Sequence, residues 1–138
     1  MAWVVDTCLL LDIGLDDPQF AGGSERLLDS KAADGFIICP VTYVELAPAF
    51  GGQTKPLEEF LLNLGVDYRE DWTWEDTRQA NAVWSRYVQK RRANRAAKRP
   101  VADALIGAFA SRFKGLLTRN SADFVSLLPS LNIVEPSG

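Results

Sequence analysis

The chain is expected to fold as an α/β domain, a mainly parallel sheet of four to five strands with helices on both faces. Two observations predict it. Short, continuous apolar runs such as Trp3-Val-Val5, Gly35-Phe-Ile-Ile-Cys39 and Gly115-Leu-Leu-Thr118 look like strands buried on both faces, the habit of parallel sheets. Longer segments with helical apolar spacing alternate with these runs, and that alternation calls for helical crossovers. At 138 residues, with no repeat, low-complexity tract or linker, one domain spanning 1–138 is expected, its core running from about residue 2 to 134.

In chain order, the first strand ends at Asp6 and Cys8-Leu-Leu-Leu11 begins a short helix. Gly14 to Pro18 reads as a loop, and Phe20 to Ala33 as a second helix with Leu27 and Leu28 inward. Pro40 stops the second strand. Thr42 and Glu45 have capping-box spacing, so a helix is expected to begin at Thr42 with Glu45 as its reciprocal partner and to end by Pro48 and Gly51-Gly52. Lys55 to Leu64 places Leu57, Phe60, Leu61 and Leu64 on one helical face, with Gly65 as C-cap. Val66 to Arg69 reads as a third strand. From about Thr73 a long helix carries Ala80, Val83, Trp84 and Tyr87 at i, i+3, i+4 and i+7. Pro100 suits the first position of the next helix, in which Ala102, Leu105, Ile106, Phe109 and Phe113 form a core-facing stripe with Asp103 at its border. Arg119 to Phe124 is the loop and helix start after the fourth strand, and Asn132-Ile-Val134 reads as a fifth.

Composition narrows the chemistry. Apolar residues at 47% and charged residues at 24% suit a soluble globular protein. No apolar run approaches the roughly eighteen residues that cross a bilayer, and Met1-Ala-Trp-Val-Val lacks a basic region and cleavage site, so a cytoplasmic chain without membrane association is expected. Cys8 and Cys39 show no CxxC spacing and read as small apolar residues in a reducing compartment. The complete absence of His removes imidazole acid–base catalysis and imidazole metal ligation. The net charge of −3 is unevenly spread: fifteen of eighteen acids fall within residues 1–76, and seven of fifteen basic residues between Arg86 and Arg99.

Four acids stand at element ends: Asp6 after the first strand, Glu45 after the second, Asp103 in a first helical turn, and Asp123 after the fourth strand. Each has a bland reading. Asp6 and Asp123 fit helix caps, Glu45 fits the capping box, and Asp103 satisfies a helix dipole. Ligands of parallel α/β sheets bind outside the carboxyl ends of the strands, and one rim accounts for all four acids more economically. Two like charges about 4 Å apart cost on the order of 4 kcal/mol at an effective dielectric near 20. With no His in the chain and no Lys in these motifs, a hard divalent cation is the expected counter-charge. One or two such ions suit in-line hydrolysis of phosphodiesters.

Val4-Val-Asp6-Thr-Cys-Leu-Leu, Val44-Glu45-Leu, Ala102-Asp103-Ala-Leu-Ile-Gly-Ala and Leu117-Thr-Arg-Asn-Ser-Ala-Asp123-Phe, in that order, resemble the PIN domain of VapC-type toxins from bacterial type II toxin–antitoxin pairs. The resemblance implies a three-layer α/β/α fold and a Mg²⁺- or Mn²⁺-dependent endoribonuclease, inhibited by a cognate antitoxin protein and homodimeric. By that likeness Asp6, Asp103 and Asp123 would hold the metal, and Glu45 would complete the acidic pocket and orient the attacking water. Thr7, Thr118 and Asn120 would support the carboxylates. Two departures stand out: Cys8 replaces a common Ser or Asn, so a hydrogen bond near the metal is expected to be missing, and Pro48 interrupts the Glu45 helix early.

The basic residues Arg86, Lys90, Arg91, Arg92, Arg95, Lys98 and Arg99 lead into Asp103 and are expected to contact RNA phosphates; the plainer alternative is a solvated helix face. Trp72 and Trp74 could stack bases, although Trp more often belongs to a core or an interface. Rival functions are a housekeeping RNA-processing nuclease on the same fold and a catalytically silent RNA- or protein-binding module. A phosphoryl-transfer protein of the haloacid-dehalogenase type would need Asp-x-Asp at the first strand, where position 8 is Cys.

Overall fold

Val4 and Val5 are adjacent, both wholly buried, and they pack into different cores. That division is the period-two alternation of a strand covered on both sides. The computed structural model describes residues 1–90 and 101–137. Strand β1 (Trp3–Val5) is the middle of a five-stranded, all-parallel sheet ordered β3-β2-β1-β4-β5, with β2 at Phe36–Ile37, β3 at Val66–Asp67, β4 at Gly115–Leu117 and β5 at Ile133–Val134. Trp3 registers against both Phe36 and Gly115, and Val4 against Ile37 and Leu116.

Seven α-helices are present among the described residues: α1 (Thr7–Gly14), α2 (Ala21–Lys31), α3 (Pro40–Glu45), α4 (Thr54–Asn63), α5 (Trp74–Lys90), α6 (Val101–Ala110) and α7 (Ser121–Val125). On one face of the sheet Trp3 and Val5 meet Leu9 and Leu10 of α1, Leu27 and Leu28 of α2, and Leu57 and Leu61 of α4. On the other, Val4, Ile37 and Leu116 meet Ile106 and Phe109 of α6 and Phe124 of α7. The arrangement is the expected three-layer α/β/α class. Val83 of α5 packs on Ala104, Leu127 and Leu128, so α5 rests against α6. No helix of the described residues is long and apolar enough to cross a membrane.

Several expected boundaries are corrected. Helix α3 begins at Pro40, not Thr42: Pro40 takes the first helical position and Cys39 the cap, because the proline backbone is already preset for a helix. The helix ends at Glu45, and Pro48 lies in the short 3₁₀ turn that follows, Ala47–Phe50. On α6 burial extends beyond a stripe to every residue from Ile106 to Ala110, while Ala102 and Leu105 are half-buried, because α5 and α7 cover what the sheet does not. Helix α7 begins at Ser121, so Asp123 lies inside it and caps nothing at Phe124.

Candidate active site

The strand order changes direction at β1: the chain builds outward through β2 and β3, then returns to add β4 on β1's other side. Ligand crevices in such sheets open at this switch, beyond the carboxyl ends of the two strands. Asp6 and Thr118 are the residues that follow β1 and β4 there.

Asp6 is extended and caps α1, its Oδ1 accepting from the Thr7 amide at 2.8 Å. Its Oδ2 accepts from the Thr118 hydroxyl at 2.7 Å and from the Cys8 thiol at 3.3 Å. Asp6 is thus a helix cap and more besides, and Cys8 supplies the hydrogen bond expected to be missing. Burial raises the Asp6 pKa from its ordinary value, the donors from Thr118, Cys8 and Thr7 oppose that rise, and the Glu45 charge adds to it. The Cys8 thiol is pushed up to about 12 by burial and by the Asp6 charge, so it stays a neutral donor.

Glu45 is exposed at the end of α3, and its Oε1 accepts from the Thr7 hydroxyl at 2.7 Å. That hydroxyl also lies 3.0 Å from the hydroxyl of Thr42, which is fully buried. The capping-box reading of Thr42 and Glu45 fails here: both face α1, not the start of their own helix. Thr118 Oγ1 accepts from the Asn120 amide at 3.0 Å, so Asn120 enters through its backbone.

Helix α6 runs into the start of β4, which places its first turn, with the half-buried Asp103, toward the carboxyl edge of the sheet; α6 packs against α3. Asp123 is exposed on α7, beyond the same edge. The topology thus brings all four acids to one edge. Among the described residues, however, no three His, Cys, Asp or Glu side chains are gathered closely enough to hold a metal ion. The tight contacts are those that join Asp6, Thr7, Cys8, Thr42, Glu45 and Thr118. Arg86 and Lys90 are exposed toward the end of α5; Arg91, Arg92, Arg95, Lys98, Arg99 and Pro100 lie outside the described residues.

Among the described residues three Asp side chains are buried, and their counter-charges differ. Asp12 is forked by Arg119 and Asp76 by Arg112. Asp6, 5% exposed, has only neutral donors, and among the described residues neither it nor Glu45 is ion-paired. Buried carboxylates are ordinarily paired, protonated or bound to metal. Around Asp6, the Glu45 carboxylate and the Thr7 and Thr118 hydroxyls are hard oxygens of the kind a small divalent cation takes, whereas the Cys8 thiol and the Thr7 amide only donate hydrogen bonds.

Thr42 and the Asp12–Arg119 pair were not anticipated. A signal for Asp12 was present, since an acid between Leu11 and Ile13 in an otherwise apolar helix demands a buried partner. Matched against family models and against curated proteins, the chain has no counterpart among them.

Proposed function

We propose that the chain is a Mg²⁺- or Mn²⁺-dependent endoribonuclease that acts as the toxin of a type II toxin–antitoxin pair. The observation that carries this reading is Asp6: a buried carboxylate without a cationic partner among the described residues, at the switch point of a parallel sheet, electrostatically coupled to Glu45. On this reading Asp6 would hold the metal, joined by Asp103 and Asp123 at the same edge. When bound, the ion supplies positive charge that polarises a phosphoryl oxygen and eases deprotonation of the attacking water. The protein's own groups do the rest. Thr118, Cys8 and the Thr7 amide fix the Asp6 carboxylate in one orientation. Thr7 holds one Glu45 oxygen and leaves the other to orient water and accept its proton. Arg86 and Lys90, with the basic residues that follow them in sequence, would meet RNA phosphates. The order and identity of the four motifs support the toxin reading over a housekeeping nuclease, and with it a cognate antitoxin, a homodimer and a cytoplasmic site of action.

The test is cleavage of an RNA substrate by purified protein in Mg²⁺ or Mn²⁺. Asp6→Asn keeps the shape and removes the charge; it is expected to abolish cleavage and growth inhibition while the circular dichroism spectrum is unchanged. Full activity in that variant refutes the assignment. RNA bound equally with and without EDTA, and never cut, favours the silent binding module instead.

A further inference from the structure

Arg119 lies between two residues of the candidate site, and its two ends face different partners. Its backbone amide interacts with the Cys8 sulfur. Its guanidinium forks onto Asp12 of α1, Nε to Oδ2 at 2.9 Å and Nη2 to Oδ1 at 2.8 Å. Asp12 is 4% exposed, and its Oδ2 also accepts from Ser24 of α2 at 3.0 Å. The guanidinium carbon sits 4.0 Å from the centre of the Phe20 ring. One side chain therefore ties the segment between β4 and α7 to both α1 and α2. The segment is otherwise held by the Thr118 amide on the Val134 carbonyl, the Thr118 hydroxyl on Asp6 and the buried Phe124; α7 is only five residues long, and Asn120 gives it no side-chain cap. A fork fixes angle as well as distance, which a single contact does not. Apolar residues of similar volume often stabilise as well as a buried ion pair, so the fork's geometry is the more distinctive contribution.

We propose that Arg119 is a positioning residue: its fork on Asp12 holds the turn from Thr118 to Asn120 so that the Thr118 hydroxyl stays on Asp6 Oδ2, and the Asp6 carboxylate thereby keeps the orientation in which it takes a divalent cation. The metal-binding half of this inference rests on the nuclease reading; the tether itself does not. Arg119 touches no substrate in this role and acts through Thr118.

Three variants test it. Arg119→Lys keeps the positive charge but cannot fork, Asp12→Asn is isosteric and lies outside the candidate site, and the third combines both. Mn²⁺ alone is titrated into each, and turnover is measured on an unstructured RNA oligonucleotide. Each single variant is expected to weaken Mn²⁺ binding and lower kcat by about ten- to a hundredfold, as loss of a group behind a metal ligand does, with KM for RNA held within about twofold. The double variant is expected to match the worse single one within about twofold, since both act through one contact. The Asn120 amide, bonded to Thr118 Oγ1, is expected to exchange hydrogen about tenfold faster while amides of β1 do not change. Wild-type Mn²⁺ affinity and kcat in Arg119→Lys overturn the proposal, and so do multiplying losses in the double variant. A fall in kcat with Asn120 exchange unchanged also overturns it, because Arg119 would then act on the chemistry directly. Wild-type protein that binds no Mn²⁺ and cuts no RNA defeats the nuclease reading instead, and Asn120 exchange alone then decides whether the tether exists.

Discussion

Asp6 and Asp76 are both almost fully buried, yet their carboxyls shift in opposite directions. Burial pushes each one up. On Asp76 the Arg112 fork, at 2.7 and 2.9 Å, and the contacts with the Thr73 amide and hydroxyl outweigh burial and hold the pKa below its ordinary value. A carboxyl depressed in the folded state binds fewer protons there than when unfolded. Its contribution to stability is therefore complete above 3.8, the ordinary value, and is lost as pH falls through the folded one. Arg112→Leu leaves that buried charge uncompensated and is expected to cost about 3 kcal/mol at neutral pH. Urea unfolding at a series of pH values checks it: the gap between variant and wild type should be widest near neutrality and close as Asp76 is protonated. At this scale the sequence was readable where an acid directly follows a buried strand, as at Asp6. It misleads at Glu45, whose partner is Thr7 of α1 rather than Thr42 of its own helix, because capping-box spacing carries no information about a neighbouring helix.

Between strands, Gly115 shows how closely β4 and its neighbours approach. A Cβ built there would stand 2.4 Å from the Asn132 carbonyl oxygen and 2.8 Å from the Trp3 ring. That carbonyl accepts the Leu116 amide at 2.8 Å, so it cannot retreat without loosening the entry to β5. Gly115→Ala is expected to destabilise by about 2 kcal/mol, as overpacking does, visible as a lower denaturation midpoint. A midpoint equal to wild type would mean that the sheet yields freely there. β1, β2, β4 and β5 were legible because each is a short apolar run bounded by Gly, Pro or a polar residue; β3 carries Asp67 and is the exception. Helix starts were less so: β2 has already ended at Ile37 when Pro40 opens α3, and read from sequence that proline marks only the end of a strand. Thr73 and Asp76 form the reciprocal cap at the start of α5, each side chain accepting from the other's amide, although the T-x-x-E pattern had pointed to Thr42 instead.

The whole molecule separates its charge along the chain, with most acids before Glu75 and Asp76 and a concentration of basic residues from Arg86 to Arg99. If the basic stretch meets RNA, affinity must fall with salt. Replacing Arg86 and Lys90 by Gln should reduce the slope of log affinity against log salt by about 1.4, roughly 0.7 for each single-strand phosphate that goes without a cation. An unchanged slope assigns those two side chains to solvent. The class of fold followed from alternating strands and helices, but the strand order did not. Every strand among the described residues is short, and all but β3 are wholly apolar, so nothing in any one of them names its neighbours; that is settled by the packing of the crossovers.

The central place of β1 has a consequence in time. β1 pairs with β2 across a short stretch of chain, whereas β4 joins it only when Thr118, 112 residues beyond Asp6, has been brought back. Until then Asp6 lacks its hydroxyl partner and half its sheet, and pairing across so long a stretch of chain is slow to form. The Asp6 carboxyl therefore reaches its final setting with the later of β1's two pairings, not the first.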